Sequence, residues 1–300
     1  MMPRYDFETV DVFTDQRFGG NPLAVFTDAS GMDSATMQAL AAELNLSETA
    51  FVLPPSDPAN DARVRIFNRS AEMPFAGHPS IGTACVLARR RDYRGASLKL
   101  ELTAGLVEAA LQRSATGRVT GARIAAPQPL TTAAILEPAA IAACLGLPTK
   151  SVLSDPHPPT EISVGMNFVA AAVTPEGIAQ AVPDIARFRE TRAQMAGSGD
   201  RLSLLIYARN ADQIHARMFA PLAGTYEDPA TGSANAALAA FLVSIDGVEE
   251  ARFTSRQGAE MGRPSVLHLT ARQTSAGIVA TVAGDCIPMF SGCWDDHTAG

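Results

Sequence analysis

The sequence predicts an α+β fold made of two related domains. Three observations carry that prediction: β-forming segments recur along the chain, two buried helices open on similar glycine-containing turns, and four local patterns repeat in order. The first helix start is Phe75-Ala76-Gly77-His78-Pro79-Ser80, ahead of the apolar run Ile81 to Leu87. The second is Asp228-Pro229-Ala230-Thr231-Gly232-Ser233-Ala234-Asn235, ahead of Ala236 to Val243. A polar residue able to cap, followed by proline or small residues, is a helix-start pattern, which makes His78 a candidate cap in one and Ser233 the cap of the other. The free N–H groups of a first helical turn and the positive end of its dipole suit a carboxylate or phosphate. Two such starts suggest one ligand held between two halves.

The elements follow in order. Residues 5–13 and 21–28 are rich in β-formers and are joined by a polar link, Thr14 to Gly20, which predicts a hairpin. Asp33 is a good cap for a helix whose apolar residues Met37, Leu40, Ala41 and Leu44 recur at helical spacing, ending near Asn45. Leu46 to Leu53 is a strand entered through polar residues, which places Glu48 at its mouth. Arg63 to Phe67 alternates like a half-buried strand. Arg89-Arg90-Arg91 complements the negative end of the first buried helix. Ser97 to Leu102 and Gly105 to Leu111 form another hairpin. The connector from Gln128 to Pro148 holds a short helix at Glu137 to Cys144, and Asp155 to Asn167 reads as a loop.

The repeat is the strongest architectural signal. Asn21-Pro-Leu-Ala-Val answers to Asn167-Phe-Val-Ala-Ala, Arg65-Ile-Phe to Arg217-Met-Phe, Gly77-His-Pro to Gly232-Ser-Ala, and the Gly105 hairpin to one around Gly258. Four matches at an offset of about 150 positions argue for duplicated domains with equivalent helix starts, facing each other across a cleft.

Composition narrows the function. Of 300 residues 47% are hydrophobic, and 24 basic against 31 acidic side chains leave a net charge of −7, so no basic surface awaits nucleic acid. Lys99 and Lys150 are the only lysines, and neither sits where a Schiff base would form. Met1 to Asp6 carries no export-signal pattern, and the longest uncharged apolar segment, Ala236 to Ile245, is well short of the about 18 residues a membrane span needs. Cys85, Cys144, Cys286 and Cys293 show no metal-ligand spacing. No metal is expected, and reduced thiols fit a cytoplasmic protein.

Longer blocks carry a family resemblance. Phe18-Gly-Gly-Asn-Pro-Leu-Ala-Val, Asn45-Leu-Ser-Glu-Thr-Ala-Phe-Val, Pro74-Phe-Ala-Gly-His-Pro-Ser-Ile-Gly-Thr-Ala, Glu227-Asp-Pro-Ala-Thr-Gly-Ser-Ala and Gln257-Gly-Ala-Glu-Met-Gly-Arg-Pro-Ser resemble the phenazine biosynthesis PhzF-like isomerases. The resemblance implies the diaminopimelate epimerase-like fold: two pseudo-symmetric domains, here 1–128 and 129–300 with the last strand free to return to the first, each a curled, mostly antiparallel sheet around a central helix. It also implies a homodimer and isomerisation by proton transfer without a cofactor. It places the acid/base carboxylate on Glu48 and polar site residues on His78, Asp228 and Ser233. The tail from Asp285 to His297 departs from the simpler final strand of that pattern.

The chemistry follows from these residue types. Taking a proton from carbon beside a carbonyl needs a nearby base, and burial would bring a glutamate towards the working pH. Glu48 is the candidate, although a glutamate at a helix–strand junction is also an ordinary solvated side chain. His78 could relay the proton, touch the substrate or only cap its helix. Asp228 could orient His78 or a substrate amine, or serve as a turn aspartate before Pro229. Backbone amides at Gly77, His78, Gly232 and Ser233 would hold the substrate carboxylate, with Ser47 beside them. Cys85 lies two turns past His78 and reads as core. Related epimerases and racemases use paired cysteines at the two helix starts, and neither start here has one. The expectation is therefore a proton or double-bond shift on a small carboxylate substrate. The alternatives are an epimerase using Glu48 and Asp228 and a non-catalytic binding member of the fold.

Overall fold

The computed structural model describes residues 3–195 and 201–296. The chain divides into two units, one running to Ala125 and resuming at Ala283, the other comprising Ala126–Val282.

In the first unit β1 (Arg4–Val12) and β2 (Asn21–Phe26) form the expected antiparallel hairpin. After α1 (Ser34–Leu44), β3 (Glu48–Leu53) runs parallel to β2, and β4 (Ala62–Phe67) returns antiparallel to β3. The short β5 (Glu72–Met73) folds back on β4 and leads into α2 (Gly77–Arg90). Strand β6 (Ser97–Leu102) lies parallel to β4 and continues antiparallel through β7 (Gly105–Arg113) and β8 (Val119–Ala125).

The second unit holds β9 (Thr131–Ile135), α3 (Pro138–Cys144), β10 (Thr160–Ser163), β11 (Asn167–Ala172), α4 (Pro175–Gln180), α5 (Ile185–Gln194) and β12 (Leu204–Asn210). Then come β13 (Gln213–Ala220), β14 (Thr225–Asp228), α6 (Gly232–Asp246), β15 (Glu250–Gln257), β16 (Ser265–Thr274) and β17 (Gly277–Asp295). Taken from β10, successive pairings are antiparallel, parallel, antiparallel, antiparallel, parallel and antiparallel. The series from β1 has the same order.

Each sheet curls until its ends meet. In the first unit the later part of β17 pairs with β8 and, antiparallel, with β1 from Val12↔Cys286 to Arg4↔Asp295. In the second, β9 pairs with β10, and the Leu130 N–H donates to the Ile278 carbonyl at the start of β17. The reason is visible in the helices. Every residue of α2 from Gly77 to Ala88 is buried, and α6 is buried at Gly232 and from Ala234 to Val243. A helix buried all round needs cover on every side, which a curled sheet supplies. Ile81, Val86 and Leu87 each contribute about 1.5–3 kcal/mol by leaving water. Smaller cores lie outside the sheets: α1 covers Phe26, Phe51 and Phe67 in the first unit, and α3 and α5 cover Val169, Leu204 and Phe219 in the second.

Several expectations need correction. The segment Asp155 to Asn167 is not all loop, because Thr160–Ser163 pairs with strands on both sides. Val119–Ala125, Leu204–Asn210, α4 and α5 were not legible as elements. The tail, for all its unusual composition, is strand through Asp295; His297 lies outside the described residues. Among the described residues no helix is long and apolar enough to cross a membrane.

Candidate active site

The first unit brings Glu48 and His78 together. Strand β2 sets both: Leu23 stands in register with Glu48, and the carbonyl of Pro22 accepts a hydrogen bond from the His78 ring. Nε2 of His78 lies 3.5 Å from Oε2 of Glu48, whose side chain is 19% exposed against 6% for the histidine. A carboxylate so near would favour a charged imidazole, but burial wins. Desolvation lowers the His78 pKa from 6.5 to about 3, with the Pro22 hydrogen bond opposing it. His78 is therefore neutral at physiological pH.

That neutrality predicts a pH effect on stability. Between pH 6.5 and 3 the unfolded chain takes up a proton at His78 that the folded chain refuses, so stability is complete above 6.5 and falls as the pH drops. Unfolding in urea at pH 6.5 and pH 5 should differ by about 2 kcal/mol from this residue. His157 is also buried and shifted downwards, so the difference between wild type and His78→Asn isolates the contribution.

Close approach of α2 to β1 and β2 makes the pair possible. A Cβ on Gly82 would lie 2.5 Å from Leu23 Cδ2 and 2.9 Å from Val12 Cγ2, and both side chains are fully buried. Alanine is better than glycine inside a helix by about 1 kcal/mol. Overpacking costs about 1–3 kcal/mol, and these neighbours have nowhere to go. Gly82→Ala should lower Tm and turnover together, since displacing α2 moves His78. A raised Tm with full activity would contradict this packing.

The second unit builds a different cluster. Arg217 on β13 makes two parallel bonds to Glu227, at 2.7 and 2.8 Å, and its guanidinium lies over Phe219 at 4.9 Å. This anchors the residue before Asp228, which is itself buried in register with Met218. Asp228 Oδ2 accepts the Thr231 hydroxyl at 2.5 Å. The first unit carries the same device: Arg65 bonds twice to Glu72, at 2.8 and 2.6 Å, over Phe67 at 5.0 Å. There, however, Met73 follows the glutamate where Asp228 stands in the second unit.

Gly77 and Gly232 are the first helical residues of α2 and α6. The expected caps are overturned. The N-cap positions are Ala76 and Thr231, both in extended backbone and neither with a side-chain capping bond, so His78 and Ser233 already lie inside their helices. Each segment turns helical at its glycine, one residue before the polar side chain, and the hydroxyl at the second N-cap is held by Asp228 instead. Ser47 and Ser233 are half-buried, Ser47 directly before Glu48. Cys85 is fully buried, and its hydrogen bond to Cys286, with burial, holds its thiol well above the usual range, as suits an inert core residue. Arg89 does more than face a dipole, since it donates to the carbonyls of Val119 and Cys286. Among the described residues no cluster of three or more His, Cys, Asp or Glu is placed to hold a metal. Thr231 and Gln257 joined no expected site. They lay inside quoted motifs, and only their bonds distinguish them.

Each unit is thus a curled sheet round a buried helix that starts at a glycine, and the first also carries a glutamate–histidine pair. A family profile described as "Phenazine biosynthesis-like protein" matches residues 10–292. An uncharacterised isomerase of Mesorhizobium japonicum is 38% identical over 86% of this chain and 88% of its own length. Trans-2,3-dihydro-3-hydroxyanthranilate isomerase of Pseudomonas aeruginosa is 35% identical over 90% of this chain and 91% of its own. A PhzF-family crystal structure from Bacillus anthracis superposes with a TM-score of 0.84, covering 98% of this chain and 99% of that one at 22% identity, and so shows the shared fold. The chain belongs to the phenazine biosynthesis-like, or PhzF, family and is an isomerase.

Proposed function

We propose that the chain moves a proton, and with it a double bond, within a small cyclic or amino-acid-like carboxylate, using Glu48 as both base and acid. The observation that carries this reading is the pairing of Glu48 with a neutral, buried His78. A neutral imidazole brings no positive charge to the carboxylate from that side, so it does not oppose the uptake of a proton. The Glu48 carboxylate takes a proton from carbon as the C–H electron pair moves into the adjacent conjugated system. The resulting carboxylic acid hydrogen-bonds across the short gap to Nε2 of His78, then returns the proton to another carbon as the electrons move back. The first turn of α2, at Gly77 and His78, supplies amide donors for a substrate carboxylate without any basic side chain, and the first turn of α6 offers donors of the same kind at Gly232 and Ser233. Ser47 in the first unit, and Asp228 and Ser233 in the second, are the further polar side chains available to a substrate.

The 35% identical relative names the first compound to try, trans-2,3-dihydro-3-hydroxyanthranilate. Turnover in deuterated water should place solvent deuterium on the newly protonated carbon to the extent that the Glu48 carboxylic acid exchanges with solvent before it returns its proton, and the substrate's own hydrogen there otherwise. A product with an inverted centre and unmoved unsaturation would assign an epimerase instead. Consumption of no member of a panel of cyclic carboxylates, together with no exchange of their protons, would leave a binding protein.

A further inference from the structure

The motif Gln257-Gly-Ala-Glu-Met-Gly-Arg-Pro-Ser has no part in the roles above, yet its first residue is bound into the start of α6. Gln257 is 1% exposed. Its Nε2 donates to the Asp228 carbonyl at 2.7 Å and to Thr231 Oγ1 at 3.2 Å. Its Oε1 accepts from the Thr231 backbone N–H at 3.2 Å and from Asn235 Nδ2 at 2.8 Å. A carboxamide offers two donors and two acceptor lone pairs, so these four bonds saturate it. They also settle its orientation, since a flipped amide would point N–H at N–H. Asn235, wholly buried, secures the arrangement by donating to the Thr231 carbonyl at 3.0 Å. The next residue shows how close the segments run: Gly258 has φ +77°, and a Cβ there would lie 2.5 Å from the Pro229 carbonyl oxygen.

A directed proton follows. The Thr231 hydroxyl has one hydrogen, and because its oxygen accepts from Gln257 Nε2, that hydrogen goes to Asp228 Oδ2, 2.5 Å away. We infer that Gln257 and Thr231 are positioning residues for Asp228: Gln257 sets the direction of the Thr231 hydroxyl, and the hydroxyl holds the Asp228 carboxylate ionised and fixed in rotation. The importance of this relay for turnover rests on Asp228 acting on the substrate, but its existence does not.

The test separates the two. Full-length protein carrying aspartate labelled with 13C at the carboxyl is titrated by NMR, and the Asp228 signal is identified by its loss in Asp228→Asn. A carboxylate that loses a donor is easier to protonate, so the Asp228 midpoint should rise by about one pH unit in Thr231→Val and in Gln257→Leu. Thr231→Ser keeps the hydroxyl and should leave it in place. With trans-2,3-dihydro-3-hydroxyanthranilate as the probe, the acid limb of the kcat/KM profile should move with the midpoint and be restored by Thr231→Ser. A midpoint that moves while the profile stays still would remove Asp228 from the reaction but keep the relay. An unmoved midpoint in folded Thr231→Val overturns the inference. Should Gln257→Leu fail to fold, the Val and Ser variants at the half-buried Thr231 decide the matter alone.

Discussion

Glu48→Gln should cut turnover by about 10²–10⁴-fold, the range expected when a positioned acid/base group is lost, while leaving the fold intact. Glutamine has nearly the same shape, but it cannot take a proton from carbon. The substitution falls at the first residue of β3, where the side chain is 19% exposed and fills no core position. Tm should therefore stay close to wild type, and the loss should appear in kcat. Glu48→Asp keeps the carboxylate but withdraws it by one methylene, which should give an intermediate rate. Full activity in the glutamine variant would end the assignment of Glu48.

Arg217→Leu should cost about 3–5 kcal/mol of stability, the largest structural effect foreseen, because it strands a buried carboxylate. Arg217 and Glu227 are only 8% and 10% exposed at their side chains. The guanidinium also donates to the carbonyls of Ile178 and Ala181, at 2.7 and 3.0 Å, which would lose their partner as well. Changing both residues, Arg217→Leu with Glu227→Leu, should recover part of the loss, since a burial without charge replaces one with an orphan. The equivalent pair in the first unit provides the control. Arg65 and Glu72 are 23% and 33% exposed, so water screens what remains, and Arg65→Leu should cost only on the order of 1 kcal/mol. Equal losses at the two positions, measured by urea unfolding, would refute the burial argument. Glu227 directly precedes Asp228, so the Arg217 variant should also lose activity at temperatures where it remains folded.

The sequence and the structure agree where local chemistry suffices. The hairpin of β1 and β2 was legible from two segments rich in β-formers joined by a polar link. Helix α1 was legible from Asp33, whose carboxylate accepts the Thr36 N–H at 2.7 Å, and from Asn45, which ends the helix in left-handed backbone. Both central helices were legible because an apolar run behind a glycine turn has few other uses. The caps were misread because capping depends on where the backbone leaves the extended region. Composition places polar residues near a helix start without saying which one stands at it. Strand β12 went unread because a buried strand of Leu, Ile and Tyr shows no alternation, and α5, with its many charged residues, has little apolar periodicity.

By itself the sequence determined the family, the alternation of strands with two buried helices, and the identity of the residues proposed for chemistry. These properties reside in residue type and spacing along the chain. Only the tertiary structure decided that His78 is neutral, that Gly82 lets α2 approach β2, and that Gln257 aims a hydroxyl at Asp228. Each depends on burial or on contacts between segments far apart in the chain. Gln257 reaches Thr231 because β15 lies parallel to β13, and hydrophobic burial around α6 brings those strands there, which no local pattern encodes.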